Sequence, residues 1–208
     1  MKTTIAILSG GKSQRLKTIT HDKGLLHLNN KPMILWIIET VQELSDNILV
    51  IVSSEAQKED YQKAINNLAE IVIDESTSVR SPLLGAHAAF MHSRGKYTIL
   101  LPNDTPLLNR DALLLLMDLC EDYDVVIPRW PNGFIEPLHA IYRTKTAKKR
   151  SIELIHSKKL KMDGLLHGKI LYINTTVLKQ FDSQLNMFLN INAPSDLKKI
   201  KHRLKEIK

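Results

Sequence analysis

The sequence predicts a three-layer α/β/α fold on a mostly parallel central sheet, a Rossmann-like arrangement with helices on both faces. Three observations carry that prediction. Short runs of β-branched and apolar residues recur at 3–8, 48–52, 70–73, 97–101 and 125–127. Segments of about ten residues with apolar positions at helical spacing separate them. Breakers stand at the junctions, Ser9-Gly10-Gly11 after the first run and Pro102 after the fourth. Strands that alternate with helices in this way define βαβ units.

Taken in order, Thr3 to Leu8 is a buried strand running into a glycine loop. Pro32 opens a helix whose apolar stripe is Ile34, Ile37, Ile38, Val41 and Leu44, with Trp36 reading as core. Ile48 to Val52 is the next strand, Ala56 to Leu68 is helical in composition, and Glu70 to Ile73 is a third strand. Ser81-Pro82 begins a helix through Met91, since proline is tolerated in a first turn. Tyr97 to Leu101 is a strand stopped by Pro102, Arg110 to Leu119 a helix, and Val125 to Ile127 a strand. Beyond Pro128 the rhythm changes. Phe134 to Tyr142 reads as extended, Ala147 to Ser157 as a basic helix and Lys169 to Ile173 as a short strand. A last helix from Ser195 carries Leu197, Ile200, Leu204 and Ile207 on a stripe too narrow for a membrane anchor, so it docks on the core.

The 208 residues suit one large domain, 1–208, and 43% apolar with 25% charged residues excludes a disordered, collagen-like or solenoid chain. One cysteine, Cys120, excludes a disulfide framework and a cysteine-based metal cluster. Only four apolar residues in a row, Ile5 to Leu8, precede the first glycines, which fits neither a signal peptide nor a membrane span; a cytoplasmic protein is expected. The net charge of +7 is unevenly placed. Residues 1–143 hold 14 Lys and Arg against 17 Asp and Glu, whereas residues 144–208 hold 15 against 5. The basic excess belongs to the last third, facing either a polyanionic ligand or solvent. That third has few aromatics and no nucleic-acid motif, so no nucleic-acid partner is expected.

In an open parallel sheet ligands bind at the carboxyl ends of the strands, and three loops there stand out. The first, Leu8-Ser9-Gly10-Gly11-Lys12-Ser13-Gln14-Arg15-Leu16 followed by Asp22-Lys23-Gly24-Leu25-Leu26, combines glycines that let backbone N–H groups face a phosphate with three cations, Lys12, Arg15 and Lys23. It matches neither a Walker A loop nor a dinucleotide fingerprint. In the second, Leu100 to Leu108, Asp104 stands between Pro102 and Pro106. A carboxylate at a strand end beside a phosphate loop suits Mg²⁺; the lesser alternative is that Asp104 caps the helix that follows. In the third, Phe188 to Leu197, the alternation of Asn190 and Asn192 puts both amides on one face, able to hold a phosphate or a metal-bound water.

Together these loops resemble the nucleotidyltransferase superfamily with a GT-A-type fold, and within it the molybdenum cofactor guanylyltransferases. Leu8 to Leu16 is similar to that family's Leu-Ala-Gly-Gly-x-x-x-Arg-Met, Asp22 to Leu26 to Asp-Lys-x-Leu-Leu, and Asn30-Lys31-Pro32-Met33 to Gly-Lys-Pro-Leu. Ser81-Pro82-Leu83-Leu84-Gly85 is similar to Gly-Pro-Leu-x-Gly, and Leu101 to Pro106 contains its Asp-Thr-Pro loop. Glu136 to Tyr142 is similar to Glu-Pro-Leu-x-Ala-x-Tyr, and Asn190 to Leu197 to Asn-x-Asn-Thr-Pro-x-Asp-Leu. The order of the whole set, over essentially the whole chain, is what is specific.

The resemblance implies GTP bound by Leu8, Ser9, Gly10, Gly11, Lys12 and Lys23, with further substrate contacts from Asp74, Gly85, Asn190 and Asn192, and Mg²⁺ on Asp104. Arg15, Lys23 and Asp104 are the implied catalytic residues. The reaction implied is attack of a molybdopterin phosphate, or that of its molybdenum form, on the α-phosphorus of GTP with release of pyrophosphate. Residues 1–143 would form the nucleotide-binding part and 144–208 the acceptor side, with molybdopterin-delivering proteins and molybdoenzymes as partners. Two departures keep other readings open. Ser53-Ser54-Glu55 stands where the family usually has Asn, and the stretch from Arg15 to Lys23 is slightly longer than in typical members. A cytidylyl- or sugar-phosphate nucleotidyltransferase and an inactive nucleotide-binding regulator are the alternatives. The histidines show no metal spacing; His139 reads as a pocket or core residue, and Trp130, between Arg129 and Pro131, could cover a pterin ring or pack in its loop.

Overall fold

The computed structural model describes residues 3–9, 22–74 and 81–206. Its strands are β1 (Thr3–Leu8), β2 (His27–Leu28), β3 (Lys31–Pro32), β4 (Ile48–Val52), β5 (Glu70–Ile73), β6 (Tyr97–Pro102), β7 (Val125–Arg129), β8 (Ala140–Arg143) and β9 (Ile170–Asn174). Its helices are α1 (Met33–Val41), α2 (Glu55–Ile65), α3 (Pro82–His92), α4 (Arg110–Asp118), α5 (Thr144–His156), the short α6 (Thr175–Leu178) and α7 (Pro194–Glu206). Seven strands form one sheet in the order β5-β4-β1-β6-β8-β7-β9, and β2 and β3 form a separate hairpin. Strands β5, β4, β1 and β6 are parallel, β8 runs antiparallel to both β6 and β7, and β7 pairs parallel with β9. Six carboxyl ends therefore share one edge with the amino end of β8.

Alternation along the strands builds the three layers. Ile5, Ile7, Val50, Val52, Ile99 and Leu101 face one way into a core closed by α1, α2 and α4. Ala6, Leu49, Ile51, Val72 and Leu100 face the other way, against α3 and α5. A third cluster joins α7, through Ile200 and Leu204, to Leu26, Leu28, Met33, Leu107 and Ile191. The terminal helix thus docks on the core as its stripe predicts; Ile207 lies outside the described residues.

Several boundaries differ from the sequence reading, each for a local reason. Helix α2 stops at Ile65 because Asn66 and Asn67 adopt left-handed backbone, φ 43° and 65°. Strands β6 and β7 run through Pro102 and Pro128. Each proline lies past the last pair with β8, at Leu100 and Val126, where a missing N–H costs no ladder bond on that side. The span 134–142 is not continuously extended: Pro137–His139 forms a 3₁₀ turn before β8 begins. Helix α5 starts three residues early, at Thr144, whose Oγ1 donates to Gly95 O at 2.8 Å. The β2–β3 hairpin is absent from the sequence reading; Asn29 and Asn30, φ 50° and 64°, turn it. Trp36 is partly rather than fully buried, its Nε1 donating to Leu28 O while Lys31 Nζ sits 3.7 Å over its ring.

Candidate active site

At the shared carboxyl edge three loops meet on one ammonium group. Lys23 Nζ donates to Asp104 Oδ2 at 2.8 Å and to Asn192 Oδ1 at 2.5 Å. Residues 81 and 169 positions away from Lys23 are thereby joined to it. The loop after β6 and the segment before α7 are also stitched by the main chain, Ile191 N donating to Asp104 O at 2.9 Å. Asp196 Oδ2 accepts from the N–H groups of Asn192 and Ala193, which hold its carboxyl below the usual range and fix the approach of Asn192. Asp104 is not a helix cap: Asn109 caps α4, accepting from Ala112 N at 2.9 Å. Asn190 is exposed and, among the described residues, makes no hydrogen bond.

Behind Lys23 lies a network that the sequence reading missed. The Asp22 carboxylate accepts from Gly24 N at 2.9 Å, from the Tyr61 hydroxyl at 2.8 Å and from Gln57 Nε2. Tyr61, fully buried, also accepts from Asn103 Nδ2 at 3.2 Å, so one phenol bridges the residues preceding Lys23 and Asp104. Gly24 is required by this packing, since a Cβ there would stand 2.1 Å from the Tyr61 hydroxyl. Burial raises the Asp22 pKa against the hydrogen bonds of Gln57, Tyr61 and Gly24; burial, then Asp22, raises that of Tyr61, which stays a protonated donor. Gln57 ties in two further strand ends, donating to Ser9 O at 2.7 Å and accepting from Ser53 N at 2.7 Å. The available signal was the spacing of Gln57 and Tyr61, four apart on one face of an otherwise charged helix.

The remaining candidates divide. Ser9 is buried with its main chain engaged, its N–H donating to Ile51 O at 2.7 Å and its C=O accepting from Gln57. Leu8 lies against Gly85, whose added Cβ would meet Leu8 and Ile51 carbons at 3.8 Å, ordinary contacts. Asp74, at the end of β5, is within electrostatic reach of His87 on α3, as is Lys148 on α5, so the basic third also presents charge here. Gly10, Gly11, Lys12 and Arg15 lie outside the described residues. The Ser53–Glu55 loop serves α2: Ser54 caps it through Gln57 N, and exposed Glu55 pairs with Lys58 at 3.7 Å in the first turn. No three His, Cys, Asp or Glu side chains converge as a metal cage among the described residues. No helix there is long and apolar enough to cross a membrane.

Comparison with known proteins gives the family and the fold. The model of the MobA-like NTP transferase domain matches residues 5–162. A probable molybdenum cofactor guanylyltransferase of Natranaerobius thermophilus is 32% identical over 201 residues, covering 95% of this chain and 94% of the relative. One from Thermococcus sibiricus is 31% identical over 206 residues, covering 95% and 97%. Among solved structures, the molybdopterin-guanine dinucleotide biosynthesis protein A of Archaeoglobus fulgidus superimposes with a TM-score of 0.81 at 27% identity, covering 98% of this chain and 99% of that one. A 4-diphosphocytidyl-2C-methyl-D-erythritol synthase from Anaerococcus prevotii shares the fold alone, with a TM-score of 0.72 at 10% identity and 98% of each chain covered. With a family model over most of its length and relatives above 30% identity from end to end, the chain belongs to the MobA-like nucleotidyltransferases, among the molybdenum cofactor guanylyltransferases.

Proposed function

We propose that this protein transfers GMP from GTP to the phosphate of molybdopterin or its molybdenum form, releasing pyrophosphate. The observation that carries the reading is the convergence of Lys23, Asp104 and Asn192 from three separate loops at the carboxyl edge of the sheet. The relatives named molybdenum cofactor guanylyltransferase supply the donor and acceptor.

The donor set fits Mg²⁺. The oxygens of Asp104 and Asn192 already converge on a positive charge, the Lys23 ammonium, and magnesium takes one or two carboxylates plus substrate phosphates and water. Asp104, with Asn192 through its amide oxygen, would hold the ion, which when bound neutralises phosphate charge. Lys23 has three N–H donors and, among the described residues, two are engaged, which leaves one for the triphosphate. Lys12 and Arg15 are assigned the charge of the β- and γ-phosphates, and the Gly10-Gly11 amides would serve the same groups. Leu8, Ser9, Gly85 and Asp74 shape the nucleotide side, with Ser9 acting through its fixed main chain. Asn190 and the rest of residues 144–208 serve the acceptor. An acceptor phosphate with a second pKa near 6 is largely dianionic at neutral pH, so no general base is needed. The protein's part is alignment and charge neutralisation. A buried, free Cys120 suits a reducing cytoplasm.

The test is to supply each of the four nucleoside triphosphates with Mg²⁺ and molybdopterin and to follow pyrophosphate and the dinucleotide by mass. GTP alone supporting product is the expected result. Preference for CTP or UTP assigns a cytidylyl- or sugar-phosphate type of transfer instead, and no release with any triphosphate leaves a nucleotide-binding regulator.

A further inference from the structure

The amino end of β8 comes to the same edge as Asp104, one strand over, and the end of β7 comes to it two strands over. At about 4.8 Å per strand, the end of β7 lies about 10 Å from the line of β6. That offset matches the separation between a phosphate and the fused ring system it is carried on. The groups gathered there are of one kind. Trp130 follows β7 and meets the Phe188 ring edge-on at 5.5 Å, and Phe188 meets the His139 ring edge-on at 4.9 Å. The Trp130 indole N–H donates to Glu136 Oε1 at 2.7 Å.

Among the described residues, Glu136 has no cation to answer it. Its only basic neighbour, among the described residues, is His139 Nδ1 at 4.0 Å from Oε2. His139 is 2% exposed, and among the described residues neither ring nitrogen has a partner in hydrogen-bonding geometry. Burial holds its pKa at about 4 against a weak opposing pull from the Met187 backbone, so at neutral pH it carries no charge. Burial likewise raises the pKa of Glu136, opposed by the indole hydrogen bond. A carboxylate offers about four lone-pair positions, and the indole fills one. A half-buried carboxylate left without a cation is costly unless hydrogen-bond donors reach it.

We propose that Trp130, Phe188 and Glu136 form the ring subsite of the acceptor, with the Glu136 carboxyl receiving the paired N–H groups of a 2-amino-4-oxopyrimidine edge and Trp130 packing on the ring. This rests on the reading of the acceptor as a pterin phosphate. The 2-amino group and the adjacent ring N–H form a planar two-donor fork, the neutral counterpart of the arginine fork that carboxylates bind bidentately. Neutral His139 is the wall behind the carboxyl. Its lack of charge keeps Glu136 out of a closed ion pair and open to the ligand.

The experiment uses the full chain and two probes, 6-hydroxymethylpterin and the corresponding lumazine, in which a carbonyl replaces the 2-amino group. Binding is followed by probe fluorescence with wild type, Glu136→Gln and Trp130→Phe, alongside KM and kcat for molybdopterin and GTP. Wild type is expected to prefer the pterin at least tenfold, a comparison that needs no variant to fold. Glu136→Gln keeps an oxygen for the Trp130 N–H, and its pterin preference is expected to collapse toward unity. Its molybdopterin KM should rise at least tenfold while the GTP KM stays put. Trp130→Phe is expected to weaken both probes alike. Equal wild-type binding of the two probes, or a preference that survives in Glu136→Gln, overturns the proposal. If wild type makes no dinucleotide from GTP and molybdopterin, the acceptor reading itself falls, and the proposal falls with it. If wild type makes the dinucleotide and the preference is absent, the proposal alone falls.

Discussion

On the β1–β6 side of the carboxyl edge the charges are answered from within the chain: Lys23 by Asp104 and Asn192, Asp22 by Gly24, Gln57 and Tyr61, Asp196 by two main-chain N–H groups. On the β8–β7 side, among the described residues, Glu136 has one indole N–H and His139 is buried neutral with neither ring nitrogen in hydrogen-bonding geometry. The first region spends its hydrogen bonds holding a charge in place, as a group that must meet a polyphosphate in a fixed geometry requires. The second leaves capacity unspent. A site that neutralises charge is built by preorganisation, whereas a site that reads a neutral heterocycle keeps polar groups waiting for it.

The harshest way to break that contrast is at Asp104. Asp104→Ala is expected to lower turnover about a thousandfold, the scale seen when a positioned electrostatic group is removed. Asp104→Asn, which keeps the shape and loses the charge, should be nearly as inactive. Steady-state pyrophosphate release reads both. An Asp104→Ala enzyme within tenfold of wild type removes Asp104 from the chemistry and leaves its pairing with Lys23 as scaffolding.

The second region makes its own mark on stability. Free histidine titrates near 6.5 and His139 near 4, so between those values the unfolded chain binds a proton that the folded chain refuses. The stabilising difference is fully present above about pH 6.5 and is lost as the pH falls toward about 4. At roughly 1.4 kcal/mol per unit the loss comes to roughly 3 kcal/mol. Urea unfolding of wild type and His139→Gln at pH 7, 5.5 and 4 measures it; wild type should fall by that much more than the variant. Parallel pH curves for the two proteins would show that His139 protonates in the fold.

The two regions also differ in how far the sequence discloses them. Strands β1 and β4 coincide with their apolar runs because parallel strands buried on both faces are uninterrupted in composition, and the edge strand β5 coincides with its run through Ile71, Val72 and Ile73. Lys23 and Asp104 could be named because glycine-rich and proline-bounded loops mark strand ends. Gln57 and Tyr61 could not, because their partners Asp22 and Asn103 are 35 to 42 residues away and only the packing of α2 brings them together. The β8 reversal hid for a related reason: Pro137–His139 breaks an apolar stretch that composition alone reads as one extended segment.

A milder perturbation of the first region is Tyr61→Phe, which deletes the hydroxyl and keeps the ring. Asp22 retains Gln57 and Gly24, while Asn103 loses its acceptor. Two hydrogen bonds are lost, the one donated to Asp22 and the one accepted from Asn103, which together correspond to about 2–4 kcal/mol of stability. Because the phenol bridges the residues before Lys23 and Asp104, the GTP KM should rise about tenfold per 1.4 kcal/mol of positioning lost, with the acceptor KM unmoved. A drop in melting temperature with both KM values unchanged would make Tyr61 a core residue only.

The smallest effect is expected at Gly85, where stability and binding should move in opposite directions. Glycine within a helix such as α3 is about 0.5–1 kcal/mol less favourable than alanine, and the added methyl would meet only ordinary contacts with Leu8 and Ile51. On packing alone Gly85→Ala should be neutral or stabilising. The proposed nucleotide site has Gly85 on its lining, beside Leu8 at the end of β1, where a methyl would take space from the ligand. The variant should therefore melt slightly higher and bind GTP several-fold more weakly, as calorimetry of the two proteins would show. Higher melting with unchanged GTP affinity would take Gly85 out of the nucleotide side and leave that region to Lys23, Asp104 and the loops that hold them.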